Sequence, residues 1–230
     1  MRAYPRAPHL FVGFPLRYVE RKKWTKNYDE LCGKEERLER MKTMARLGLA
    51  VSDGLFMCSR DGHHFEKYDE AILPPPPENP EAFVYGDGTA IPALIEIPSS
   101  IPGADNEYML ILRESFRPGK EGYNKLVKYT ARLDGFVSIH AGGEKCQLIS
   151  KEFIYDGDQL FANVATSARG SAYFTLKSGD ECYRSVEVFG NSTHKRIRFE
   201  NDTAVASLKG KPVTLTVELY DADLYSIKFE

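Results

Sequence analysis

The chain has 230 residues, 42% of them hydrophobic and 28% charged, with a formal net charge of −2. That length suffices for one large domain or two small ones with real cores, and the composition is that of a folded protein. The near-neutral balance gives no electrostatic case for nucleic acid or an anionic membrane, and no apolar run approaches membrane-spanning length.

Thirteen Tyr and thirteen Phe against a single Trp favour sheet over helix. Residues 9–19 alternate well enough for a strand pair bent at Gly13 and Pro15. The charged segment 20–46 then holds the one helix signal, with Leu38, Met41 and Met44 recurring at three to four residues, which predicts a short amphipathic surface helix. Its charges read as a solvated face. Residues 47–57 return to strand character, and Asp61-Gly62 marks a hairpin tip, because glycine tolerates positive φ and the aspartate can bond the backbone ahead of it. A returning strand over 66–73 leads into a stiff Pro74-Pro75-Pro76-Pro77 connector, unable to donate ladder hydrogen bonds. Four more strands follow, at 83–85, 91–97, 108–112 and 126–131.

The stretch 132–143 carries an Asp134-Gly135 turn pair, an alternating run through Val137, Ile139 and Ala141, and a Gly142-Gly143 stop. It reads as the seam between two β-rich units, 1–143 and 144–230. Beyond it, strand runs at 147–154, 160–165, 171–177, 184–189, 196–200, 213–220 and 224–229 are separated by turn signals such as Asp156-Gly157-Asp158 and Ser178-Gly179-Asp180. Seven such strands and no helix predict an antiparallel β-sandwich. Its last two runs should form a hairpin, with Tyr225, Ile227 and Phe229 on the core side.

Four cysteines, Cys32, Cys58, Cys146 and Cys182, have neither ligand spacing for zinc nor the density of a disulfide framework. With no signal-peptide pattern at the N-terminus, they lead to the expectation of a cytoplasmic protein without a cofactor.

Several segments resemble a known family. YTARLDGFVSIHA (129–141), NVATSARGS (163–171) and LKGKPVTLTVELYDADLYSIKF (208–229) are similar to the closing part of a bacterial glycoside-hydrolase-like family. In that family a five-bladed β-propeller precedes a β-sandwich, as in glycoside hydrolase families 32 and 43. VGFPLRYVER (12–21), DGLFMCSRDGHHF (53–65) and FVYGDG (83–88) resemble late blades of the same propeller. The resemblance implies an all-β protein with a partial propeller-like N-terminal region, one inserted short helix and a C-terminal sandwich. It implies by analogy a carbohydrate-acting or carbohydrate-binding function. The early Trp-Met-Asn-Asp-Pro-Asn-like motif that carries the family's nucleophile is absent. There is room for about two blades, so the chain looks like the tail of a longer enzyme or a shortened descendant. The rival expectation is a non-catalytic module that packs against other chains or supplies blades in trans.

Glycosidic hydrolysis needs two carboxyls flanking the bond. Asp87, after Tyr85-Gly86, and Glu96, between two isoleucines, fall on candidate inner strands and are the catalytic candidates; alternatively, Asp87 caps a turn and Glu96 lies on a solvent face. His63-His64 and His140 read as loop and seam residues, and Asp221 with Asp223 as a bend or a calcium site. Tyr220 and Tyr225 read as sugar-stacking or core residues. An incomplete ring would expose strand edges and apolar faces, so a homo-oligomer through the N-terminal region is expected, around Leu10, Phe11, Val12, Phe14 and Leu16.

Overall fold

The alternating pattern does produce a β-rich chain: in the computed structural model 49% of residues lie in strands and 10% in helices, with several antiparallel sheets. The structure describes residues 1–76, 79–82, 85–117, 121 and 124–230. It divides into two units, Met1–Ile97 with Glu107–Ala131, and Pro98–Asn106 with Arg132–Glu230.

In the first unit the elements are β1 (Arg2–Tyr4), β2 (Ala7–Gly13), β3 (Leu16–Glu20), α1 (Lys34–Thr43), α2 (Arg46–Leu49), β4 (Ala50–Gly54), β5 (Met57–Ser59), β6 (Glu66–Lys67), β7 (Thr89–Ile97), β8 (Glu107–Glu114) and β9 (Lys125–Arg132). They form a four-stranded sheet ordered β1-β2-β5-β6, a two-stranded β3-β4 ladder and a three-stranded β7-β8-β9 sheet. The strand pair expected over 9–19 is not a pair. Pro15 has no N–H to give and instead accepts from Leu55, so β2 goes to β1 and β5 while β3 goes to β4. Residues 47–57 hold a helical turn and two short strands instead of one long one. Of the strand expected at 83–85, Phe83 and Val84 lie outside the described residues, as does Pro77 of the proline connector.

The Asp61-Gly62 tip forms as its chemistry dictates. Gly62 has φ 75°, and Asp61 Oδ1 accepts the N–H groups of both His63 and His64 at 2.8 Å. The His64 ring and these two donors hold the Asp61 carboxyl well below the usual range. The helix exists, but its inward residue is not apolar. Leu38 and Met44 are exposed, and Arg37 is the buried one. Gly48 lets α2 close on α1, since a Cβ there would stand 2.3 Å from the Arg37 carbonyl. The Leu10–Leu16 run is likewise buried or half-buried within its own unit rather than laid open.

The second unit holds β10 (Ile139–Ala141), β11 (Cys146–Ile149), β12 (Leu160–Ser178), β13 (Glu181–Arg184), β14 (Asn191–Ile197), α3 (Ala204–Leu208) and β15 (Thr214–Phe229). All six strands belong to one antiparallel sheet, β10-β15-β12-β13, with β11 also on β15 and β14 on β12. Two pairs of expected strands are in fact single long ones. The Ala168-Arg169-Gly170 break lies inside β12, and the Asp221-Ala222-Asp223 bend lies inside β15 rather than at a hairpin. Both are one bulge seen from its two sides: the ladder jumps from Thr166↔Ala222 to Ser171↔Tyr220, and Asp221 takes φ 46°. Gly170 is obligatory there, as a Cβ would meet the Asp221 carbonyl oxygen at 2.1 Å.

The extra residue also shifts the facing. Leu219, Ala222 and Leu224 are all buried, so Leu224 and not Tyr225 takes the core side; a second register shift, at Asn163/Val164, leaves Phe229 packed on the core as the alternation predicts, with Ile227 39% exposed opposite Ala162. The run 184–189 does not form a ladder beyond β13 and is held by isolated bridges, Ser185↔Phe199 and Ala172↔Val188. A five-residue helix, α3, stands where none was expected and buries Ala204, Val205 and Leu208 in the core of this unit. The seam stretch belongs to this sheet through β10, and Asn163, fully buried on β12, donates to the Leu133 carbonyl at 2.6 Å and accepts from Arg132 Nε at 2.7 Å.

Within that core Tyr155 stacks on Phe229 at 3.9 Å, and its hydroxyl donates to the Val205 carbonyl at 2.6 Å. Burial pushes its pKa up to about 12. Because the neutral phenol is the folded form, this contribution to stability is complete below the unfolded value of about 10 and is lost as pH rises through about 12. Ultraviolet titration should therefore show one tyrosine ionising near the unfolding limit, and Tyr155→Phe should remove it and flatten stability between those pH values.

Candidate functional site

Apart from Ser59 on β5, the buried polar residues described in the first unit gather near one end of its three-stranded sheet. Arg37, Ser52, Asp87, Glu114, Ser115 and Arg117 are all at most 6% exposed. Such groups persist inside a protein only when each is paired, so their partners define the site.

Strand β8 delivers Glu114 and then ends abruptly. Ser115, fully buried, adopts φ 52°, a left-handed conformation that costs a non-glycine residue about 1 kcal/mol or more. Asn124, also left-handed at φ 63°, stabilises the turn: its N–H donates to the Ser115 carbonyl, and its side chain bonds both the N–H and the carbonyl of Arg117 at 3.0 Å. Glu114 accepts from the Tyr129 hydroxyl and from Asn79 Nδ2, the latter at 2.6 Å.

Past the turn, Phe116 donates its N–H to Asp87 Oδ1 at 2.8 Å. Asp87 sits between two left-handed glycines, Gly86 at φ 100° and Gly88 at φ 77°, and its carbonyl accepts from Ser52 Oγ at 3.0 Å. Gly86 is needed because a Cβ would stand 2.4 Å from the Phe116 ring. The Arg113 guanidinium covers that ring at 3.9 Å.

The charged centre is Arg117. Its Nε meets Glu36 Oε2 at 3.1 Å and its Nη2 meets Glu81 Oε2 at 2.8 Å. Burial works against its charge, but the bond to Cys32 and the carboxylates of Glu81 and Glu36 outweigh it and raise the pKa. Gly33, at φ 67°, makes room, since a Cβ there would stand 3.1 Å from Arg117 Nη2. Arg37 donates to the carbonyls of Cys32 at 3.1 Å and Gly48 at 3.2 Å, and burial pulls its pKa down. Arg40 Nη2 takes the other oxygen of Glu36 at 2.9 Å. Above these groups lies a small open cleft lined by Gly33, Glu36, Arg37, Arg40, Leu47, Tyr85, Phe116 and Arg117.

Of the residues singled out in the sequence, Asp87 belongs to this cluster as the buried tie for Phe116. Glu96 does not. It lies exposed near the far end of β7 in an ion pair with Arg6 at 3.6 Å. The register pairs Thr89 with Arg113 and Glu96 with Tyr108, which separates the two ends by roughly 17 Å of strand. The two carboxylates are thus not brought to one bond. Among the described residues no three His, Cys, Asp or Glu side chains gather in a way that could hold a metal. His64 bonds Asp61 in its turn, while Asp223 receives Ser138 Oγ at 2.8 Å and faces the His140 ring at 3.0 Å. Asp221 receives Ser167 Oγ, and Arg169 and Arg132 lie over the rings of Tyr220 and Tyr225. Glu114, Ser115 and Arg117 escaped sequence reading because only the left-handed turn gathers them. Arg37 escaped it because a charge on an apparently amphipathic helix reads as solvated.

Comparison of the chain with protein-family models, with curated proteins and with solved structures finds no match.

Arg117→Met should destabilise the first unit by about 2–3 kcal/mol, since it removes one of the two guanidinium groups paired with the largely buried Glu36 carboxylate, whereas Glu81→Gln should cost less than about 1 kcal/mol because Glu81 is 42% exposed. Urea denaturation of both variants measures the difference; equal losses would mean that Arg117 matters by its volume and not by its charge.

Proposed function

We propose that this protein binds carbohydrate through the cleft over Arg117 and does not hydrolyse it. The observation that carries the reading is the cleft itself: buried guanidinium groups at its base, a carboxylate among them, and the half-buried Tyr85 ring in its wall. Sugars are recognised by such a mixture, with planar charged side chains bonding hydroxyls and an aromatic ring against the C–H face. The two acids singled out in the sequence do not supply the pair that hydrolysis needs. Asp87 is committed to the Phe116 amide, and Glu96 lies at the opposite end of its strand.

The finer architecture belongs to the same proposal. The four-stranded β1-β2-β5-β6 sheet has the strand count of a propeller blade and β7-β8-β9 is one strand short of it. The sheet of the second unit, bent at its bulge and filled by α3, supplies the sandwich-like part. A glycan array probed with the full chain should give binding, and Tyr85→Ala should abolish it while the chain stays folded. Aryl-glycoside substrates should give no turnover. A blank array, or glycosidase activity lost in Asp87→Asn, would overturn the reading.

A second reading, a module that packs against another copy of itself, is favoured by one observation. On the three-stranded sheet Ile91 and Ile95 are exposed and lie opposite Ile111 and Met109, while Leu126 on β9 is 64% exposed. Light scattering at high micromolar concentration should then report a dimer that Ile95→Lys converts to monomer. A monomeric parent chain would remove this reading.

A further inference from the structure

The formal net charge of −2 is a sum over the whole chain, and the first unit distributes its charges unevenly. Between β3 and α1 the stretch 21–26 carries Arg21, Lys22, Lys23 and Lys26 with no acidic residue among them, and all four are exposed. Neighbouring cations are neutralised: Arg17 bonds Asp53 at 2.6 Å, Lys34 meets Asp29 at 2.7 Å and Lys42 meets Glu39. Among the described residues no carboxylate pairs with Arg21, Lys22, Lys23 or Lys26, nor with the exposed Arg46 that opens α2. The nearest acids along the chain are Glu20, at the end of β3, and Asp29, which Lys34 already takes.

The basic stretch is anchored. Trp24, half-buried, tilts over Tyr28 with ring centroids 5.0 Å apart, and Tyr28, 2% exposed, donates its hydroxyl to the Leu49 carbonyl at 2.7 Å. That bond ties the loop to the end of α2. Arg21 lies within electrostatic reach of Tyr28, and Arg46 within reach of Tyr18, so the cations gather around the ends of β3 and α2. Apolar groups are exposed in the same place: Tyr18 and Val19 on β3 at 39% and 37%, and Met44, two residues before Arg46, at 46%. A polyanion in water would use the cations alone. A bilayer interface uses both, taking cations at its anionic headgroups and tyrosine or aliphatic groups just beneath them.

We propose that this face of the first unit docks on an anionic lipid bilayer, whether or not the cleft holds a sugar. Arg21, Lys22, Lys23, Lys26 and Arg46 meet the headgroups, and Tyr18, Val19 and Met44 enter the interface. The attachment is peripheral and reversible, because a basic patch without a lipid anchor holds a protein only weakly.

Sedimentation of the full chain with vesicles of phosphatidylcholine, alone or mixed with an equal part of phosphatidylserine, tests this. Binding to the mixed vesicles should be at least about tenfold tighter at low salt and should weaken as salt screens the charge. Lys22→Gln with Lys23→Gln should weaken it by about 25-fold, since each cation near such a surface contributes about fivefold. Should that variant lose its β-sheet circular dichroism, Arg21→Gln with Lys26→Gln should show the same loss. Lys145→Gln with Lys151→Gln, at two exposed positions of the second unit, should leave binding unchanged. Met44→Gln should weaken vesicle binding. Equal binding to the two kinds of vesicle would overturn the inference, as would equal weakening by the two lysine pairs. A single-stranded oligonucleotide bound as tightly as the mixed vesicles, or vesicle binding indifferent to Met44→Gln, would overturn it in favour of a plain polyanion site.

Discussion

A guanidinium with 2% of its side chain exposed has to be paired, and the arrangement of the first unit follows from how Arg117 is paired. Two carboxylates from distant stretches of chain, Glu36 and Glu81, are held against it, and the helix that brings Glu36 must approach closely enough to do so. Gly33 at the start of α1 provides that approach, because any side chain there would press on the guanidinium. The same helix turns Arg37 inward onto the Cys32 and Gly48 carbonyls. An apparently ordinary surface helix is therefore anchored by its charges, while Leu38 and Met44 remain in solvent.

The backbone around Arg117 reflects the same requirement. Ser115 and Asn124 both adopt left-handed conformations that their side chains disfavour, and each is compensated by hydrogen bonds that close the turn. The turn redirects the chain from β8 so that Phe116 reaches Asp87 and Arg117 reaches the helix. Backbone strain and buried charge thus coincide at one place in the unit.

The second unit solves its folding problem differently. Its two long strands, β12 and β15, pair along almost their whole length and bury an alternating apolar set that runs from Leu160 to Leu176 and from Leu215 to Leu224. Its irregularities, the bulge at Asp221 and Gly170 and a register shift at Asn163/Val164, re-aim side chains without breaking the ladder. Asn163, its fully buried amide, is satisfied by Leu133 and Arg132 in the stretch that opens the unit. Here hydrophobic burial dominates, and polar groups serve to fix register.

The sequence by itself determined the β-rich character, the hairpin at Asp61-Gly62 and the inserted helix, because these depend on local periodicity and on residues that permit positive φ. It also marked the turn at Asp134-Gly135 and the alternating core positions Val213, Leu215, Val217 and Leu219. Tertiary structure decided which strands pair, since Pro15 sends β2 and β3 to different partners through a hydrogen bond that no local pattern records. It turned two apparent turns, at 168–170 and 221–223, into one bulge, because a bulge residue and a turn residue have the same local preferences and differ only in what lies across the ladder. It also brought Asp87 beside Glu114 and Arg117 and left Glu96 in solvent. Burial of a charge is a property of its partners, and those partners are thirty and more residues away in the chain.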